Sequence, residues 1–89
     1  MVNWKNLDLE FDEHAFKHGI KDYEIEQLFK GRIYKRKIYF NKELRYQIIG
    51  KAFGRLIMVI VVPIGSNKLK VFSARMASEY KEIYDDKAK

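Results

Sequence analysis

Four cations fall at intervals that would let them share one anion. Arg45 and Lys51 lie six residues apart on a predicted strand, so both project from the same side of a sheet. Arg55 opens the following strand, close to Lys51 across a short connection, and Arg75 stands at the far end of the last strand. Should those strand ends converge, three guanidinium groups and one ammonium would surround a space the size of a phosphate. Arginine can grip phosphate through two parallel hydrogen bonds, which lysine cannot copy. His18 is the natural proton-transfer candidate, since an unperturbed imidazole titrates near neutrality. In the last turn of a helix it would equally serve the negative helix end. Arg55 as a plain hairpin residue and Arg45 as a solvated edge are the corresponding bland readings.

A second set of residues suits a single-stranded polyanion. The run Arg32-Ile33-Tyr34-Lys35-Arg36-Lys37-Ile38-Tyr39-Phe40 interleaves cations with aromatic rings. Lys35, Arg36 and Lys37 would meet phosphates while Tyr39 stacks on a base. The same strand would suit an acidic protein segment adding to a sheet edge. Tyr80 and Tyr84 could stack on bases, though with Ile83 they also make a helical packing stripe.

The charge is unevenly placed. Residues 1–29 carry three Lys/Arg against seven Asp/Glu, whereas residues 30–55 carry nine against one. The net +6 therefore belongs to the middle of the chain, the footprint expected for a polyanion or an acidic partner. With no cysteine and only His14 and His18, thiolate sites and disulfides are excluded and a zinc site is disfavoured. The start of the chain lacks the apolar stretch of a signal peptide, and the run Leu56 to Pro63 is too short to cross a bilayer. The expected setting is soluble and cytoplasmic, with no membrane partner.

These side chains need a frame, and 89 residues, 47% of them hydrophobic, suffice for one domain over residues 1–89. Leu7, Leu9 and Phe11 alternate with Asp8 and Glu10 as a first strand. Asp12 can cap a short helix reaching Lys17-His18 and closed by Gly19. A second helix opens at Asp22, carries the stripe Ile25, Leu28 and Phe29, and ends at Lys30-Gly31. Four strands follow: Ile33–Phe40, Leu44–Ala52, Arg55–Val62 and Leu69–Ala74, with Leu69, Val71 and Ser73 expected on one face. Ser78 is the expected N-cap of a last helix. Consecutive strands with short turns make an antiparallel meander, so the class is α+β.

Three segments carry a family resemblance. They are Phe11-Asp12-Glu13 with Lys17-His18-Gly19-Ile20 and Tyr23–Phe29; Arg45-Tyr46-Gln47-Ile48-Ile49-Gly50-Lys51 with Gly54-Arg55-Leu56; and Val71-Phe72-Ser73-Ala74-Arg75 followed by Ala77-Ser78. In their order and spacing the chain resembles BrnT-type toxins of bacterial type II toxin–antitoxin systems, which have the RelE/ParE-like ribonuclease architecture. It differs from them in the short gap between Asp12-Glu13 and Lys17, and in Lys81 where a capping-box Glu is usual. The resemblance implies a metal-independent endoribonuclease that cleaves mRNA, needs no cofactor, and is silenced by a cognate antitoxin, often of ribbon-helix-helix type. DNA would be met only through that antitoxin. Cleavage by 2′-hydroxyl attack needs proton transfer and cations against the charge growing at phosphorus, roles open to Arg75, Lys51, Arg45, Arg55 and His18. Two other functions fit the same residues: a non-catalytic RNA- or protein-binding module, and a ParE-like inhibitor of DNA gyrase.

Overall fold

The computed structural model describes Trp4 and residues 6–88. Strand β1 (Asp8–Phe11) leads into a 3₁₀ turn (Glu13–Phe16) and helix α1 (Asp22–Leu28). Strands β2 (Ile33–Phe40), β3 (Glu43–Ala52), β4 (Arg55–Pro63) and β5 (Lys68–Met76) follow, then a 3₁₀ turn (Ser78–Tyr80) and helix α2 (Lys81–Lys87). The sheet order is β1-β5-β4-β3-β2; β1 runs parallel to β5 and every other pairing is antiparallel. The domain is a small α+β fold on a five-stranded mixed sheet.

Two hairpins set the register of the central strands. Asn41 and Lys42 (φ 51° and 68°) join β2 to β3, and Phe53 and Gly54 (φ 53° and 80°) join β3 to β4. Positive φ at both central residues is the type I′ geometry, whose twist matches that of the flanking strands. The pairs Ile38↔Arg45 and Lys51↔Leu56 are thereby fixed.

Each face of the sheet has its own apolar layer. On one, Ile33, Ile48, Ile57, Val59, Val61, Leu69, Val71 and Ala74 pack beneath Ala15, Ile20, Ile25 and Leu28 from the turn and α1. Gly50 lies under α1 so closely that an added Cβ would stand 2.8 Å from Leu28 Cγ. On the other, Ile49, Leu56 and Met58 pack with Ala77, Tyr84 and Ala88, flanked by Tyr34 and Tyr80. This second layer covers only part of its face.

Several local expectations need correction. The first helix is a single 3₁₀ turn: the Asp12 carboxylate accepts from His14 N at 3.0 Å, and Gly19 at φ +82° ends the segment. Ser78 caps nothing; it starts a 3₁₀ turn, and Tyr80 precedes α2 without a side-chain cap. Ile83 is exposed while Tyr84 is buried, so the last helix packs on a narrower stripe than its spacing suggests. Ser73 does not share a face with Leu69 and Val71. Val61 pairs with Val71 but Ile60 pairs with Ser73, leaving Phe72 as an extra residue. That bulge reverses the alternation, burying Ala74 and turning Ser73 and Arg75 to the opposite face.

Candidate nucleic-acid interface

Cross-strand pairing orders the residues of the incompletely covered face into rows. Tyr34, Ile49, Met58 and Arg75 form one row; Arg36, Gln47, Ile60 and Ser73 form the next. Beyond them lie the pairs Ile38 with Arg45 and Val62 with Lys70. The α2 layer takes in Tyr34, Ile49 and Met58 but no residue of the Gln47 row or of the row beyond it. Among the described residues nothing covers half of this face, which presents Arg36, Arg45 and Lys70 with Arg75 at its border.

Aromatic rings accompany the cations there. The Arg45 guanidinium carbon lies 4.9 Å from the Phe40 ring centre and 5.3 Å from that of Phe72. Lys70 Nζ is 5.3 Å from the same Phe72 ring. Phe72, the bulged residue, thus holds two cations. Among the described residues the anionic neighbour of Arg45 is Glu43, with Oε2 3.5 Å from its Nη2. At the border, Arg75 Nη1 donates to Glu79 Oε1 at 2.6 Å and to the Met76 carbonyl at 2.9 Å. Chiefly through the hydrogen bond from Arg75, the Glu79 carboxyl is held below the usual carboxylate range.

The four cations expected to converge do not. Arg55 projects to the α1 side, where it is bonded to Glu24, a carboxylate with a side chain only 6% exposed. Glu24 also accepts from Lys21 N at 3.0 Å, so Arg55 is committed to anchoring α1. Lys51 and Arg45 share the open side, but six residues separate them by about 20 Å along the strand. Lys51 sits at the covered end with Nζ 5.6 Å from the Tyr84 ring centre. Its electrostatic neighbour is Asp85, whose carboxyl is lowered mainly by the Lys81 hydrogen bond and further by Lys51 and Arg32. His18 is exposed beside the 3₁₀ turn packed on the α1 side, so the sheet separates it from Arg75 and Arg45.

The expected RNA-contact residues divide similarly. Arg36 pairs with Gln47 and faces the open side, whereas Lys35 and Lys37 pair with Ile48 and Tyr46 and face the α1 side. Lys35 Nζ lies 4.8 Å from the Trp4 ring centre. Tyr39, 70% exposed, belongs to that side too. Tyr80 is half-buried against the α2 layer. Tyr84 is a core residue: its ring is buried and its hydroxyl donates to the Arg32 carbonyl at 2.9 Å, so it offers no free ring to a base.

Sequence reasoning did not single out Phe72, Gln47, Lys70 or Glu79. The bulge at Phe72 has no local signature, so the side on which Lys70, Phe72 and Arg75 meet was not legible. Comparison with family models, with curated proteins and with solved structures finds no match to this chain.

Proposed function

We propose that this chain is a BrnT-like toxin with the RelE/ParE-like arrangement, an endoribonuclease that binds single-stranded RNA on the open half of its sheet. The observation that carries the proposal is a sheet surface uncovered among the described residues that presents Arg36, Arg45 and Lys70 with Arg75 at its border, the Phe72 ring lying against Arg45 and Lys70. Cations that track phosphates beside a ring that stacks on bases are what a single strand requires. Arg75 is the group assigned to neutralise charge at phosphorus, and Glu79 is the carboxylate assigned to take the 2′-hydroxyl proton. The P–O2′ bond forms as the P–O5′ bond breaks, and water protonates the leaving 5′ oxygen. An incoming phosphate competes for the Arg75 guanidinium and so restores basicity to Glu79 at the moment it is needed. The nucleophile belongs to the substrate, so no metal is invoked.

The cognate antitoxin of this proposal is an acidic protein. Its place is the outer edge of β2, which is unpaired among the described residues and carries Lys35, Arg36 and Lys37. Purified chain freed of any partner should cut single-stranded RNA in the presence of a chelator. Arg75→Ala should slow cleavage about 100-fold or more and relieve growth arrest with its circular dichroism unchanged. Cleavage by Arg75→Ala at the original rate rejects the assignment. Binding that weakens steeply with salt but yields no product indicates the non-catalytic module, and inhibition of gyrase supercoiling with intact RNA indicates the ParE-like activity.

A further inference from the structure

Two buried polar atoms on the open face lack partners. Arg45 Nε, a donor, and Gln47 Oε1, an acceptor, make no hydrogen bond among the described residues. The two residues alternate on β3, so they project side by side from the same face. Gln47 is only 7% exposed, and its other amide pole meets the thioether of Met58 (Nε2 to Sδ 2.9 Å), a weak acceptor. The thioether can only accept, so the carboxamide turns Nε2 toward Met58 and leaves Oε1 open. Arg45 is held loosely, by the faces of Phe40 and Phe72 and by the 3.5 Å approach of Glu43.

A buried donor and a buried acceptor left open together ask for a ligand that carries both functions. Phosphate only accepts hydrogen bonds and would leave Gln47 unsatisfied. In a nucleotide the phosphate accepts from Arg45, the base edge adds the donor that Gln47 lacks, and the flat base fits the ring that Arg45 now covers. Resting on the RNA-acting reading above, we propose that Gln47, Arg45 and Phe72 form a nucleobase-reading subsite. The base displaces the Arg45 guanidinium from Phe72 and stacks there, and the Gln47 carboxamide bonds its edge. The freed Arg45 joins Arg36 and Lys70 on the flanking phosphates, exchanging its 3.5 Å approach to Glu43 for a phosphate.

The test uses the full chain and labelled 2′-O-methyl hexanucleotides of A, C or U, which lack the attacking hydroxyl, beside an abasic hexamer of equal charge. At least one homo-oligomer should bind tenfold or more tighter than the abasic probe. Phe72→Leu should remove roughly fivefold or more of that advantage. Gln47→Met, of similar volume, should bring the three homo-oligomers within about threefold of one another with the salt dependence retained. Thermal melts of both variants check that the fold persists. Equal binding of the abasic probe overturns the subsite, as does an unchanged base ranking in Gln47→Met. Either result leaves RNA binding itself standing, whereas no binding to any probe overturns that reading as well.

Discussion

Arg75 is the residue on which chemistry and structure meet, and Glu79 sets its state. Their 2.6 Å hydrogen bond withholds a guanidinium from the open face and keeps the carboxyl ionised. Glu79→Gln should therefore bind RNA more tightly in an anisotropy titration, because phosphate no longer has to displace a carboxylate from Arg75. Under the proposed mechanism the same change should cut about 100-fold slower or worse, because the carboxylate assigned to accept the proton is gone. A variant that gained affinity and kept its cleavage rate would remove Glu79 from the mechanism. Because its folded-state pKa is depressed, whatever stability the pair gives is present above the ordinary carboxylate range. It is lost as pH falls through the lowered value. Arg55 shows the contrasting case of a cation with a structural task. Arg55→Ala leaves the buried Glu24 without its partner and should cost about 1–3 kcal/mol of stability, while cleavage per folded molecule holds. A chemical denaturation curve and a rate corrected for folded fraction separate the two.

At the level of elements, the sequence was most legible where alternation or turn chemistry was strong. Leu7, Leu9 and Phe11 alternating around β1, Ile25 and Leu28 spaced for α1, and the Phe53-Gly54 connection are local signals that long-range packing reinforces. The missed features depend on neighbours the sequence does not name. The bulge at Phe72 reflects register between β4 and β5, and it alone decides that Arg75 reaches the open face rather than the α1 side. Glu24 stands in the first turn of α1, where the helix dipole alone would account for a carboxylate, and only the Ala52↔Arg55 hairpin pairing shows which cation it meets. Two substitutions test the hairpin and the layer contact. Lys42 adopts φ 68° at a position that favours glycine, so Lys42→Gly should stabilise by about 1 kcal/mol, read as a rise of several degrees in Tm. Gly50→Ala drives a methyl against Leu28 and should destabilise by about 1–3 kcal/mol. A neutral result would mean that α1 can slide over β3.

Across the whole molecule, the basic segment does not form a single patch. Strand alternation sends Arg36 and Arg45 to the open face and Lys35 and Lys37 to the α1 side, while Arg55 is spent within the fold. Net charge alone would rank these residues equally; the sheet does not. If RNA lies on the open face and engages Arg36, Arg45, Lys70 and Arg75, the logarithm of its affinity should fall with the logarithm of salt at a slope of about −3. Arg36→Gln and Lys70→Gln should each lower the magnitude of that slope by somewhat less than one. Lys37→Gln, with the same loss of formal charge but a side chain on the other face, should change it little. Fluorescence anisotropy titrations at four salt concentrations give all the slopes. Identical losses for Arg36 and Lys37 would mean that RNA responds only to overall charge, and the open face would then have no special claim on it.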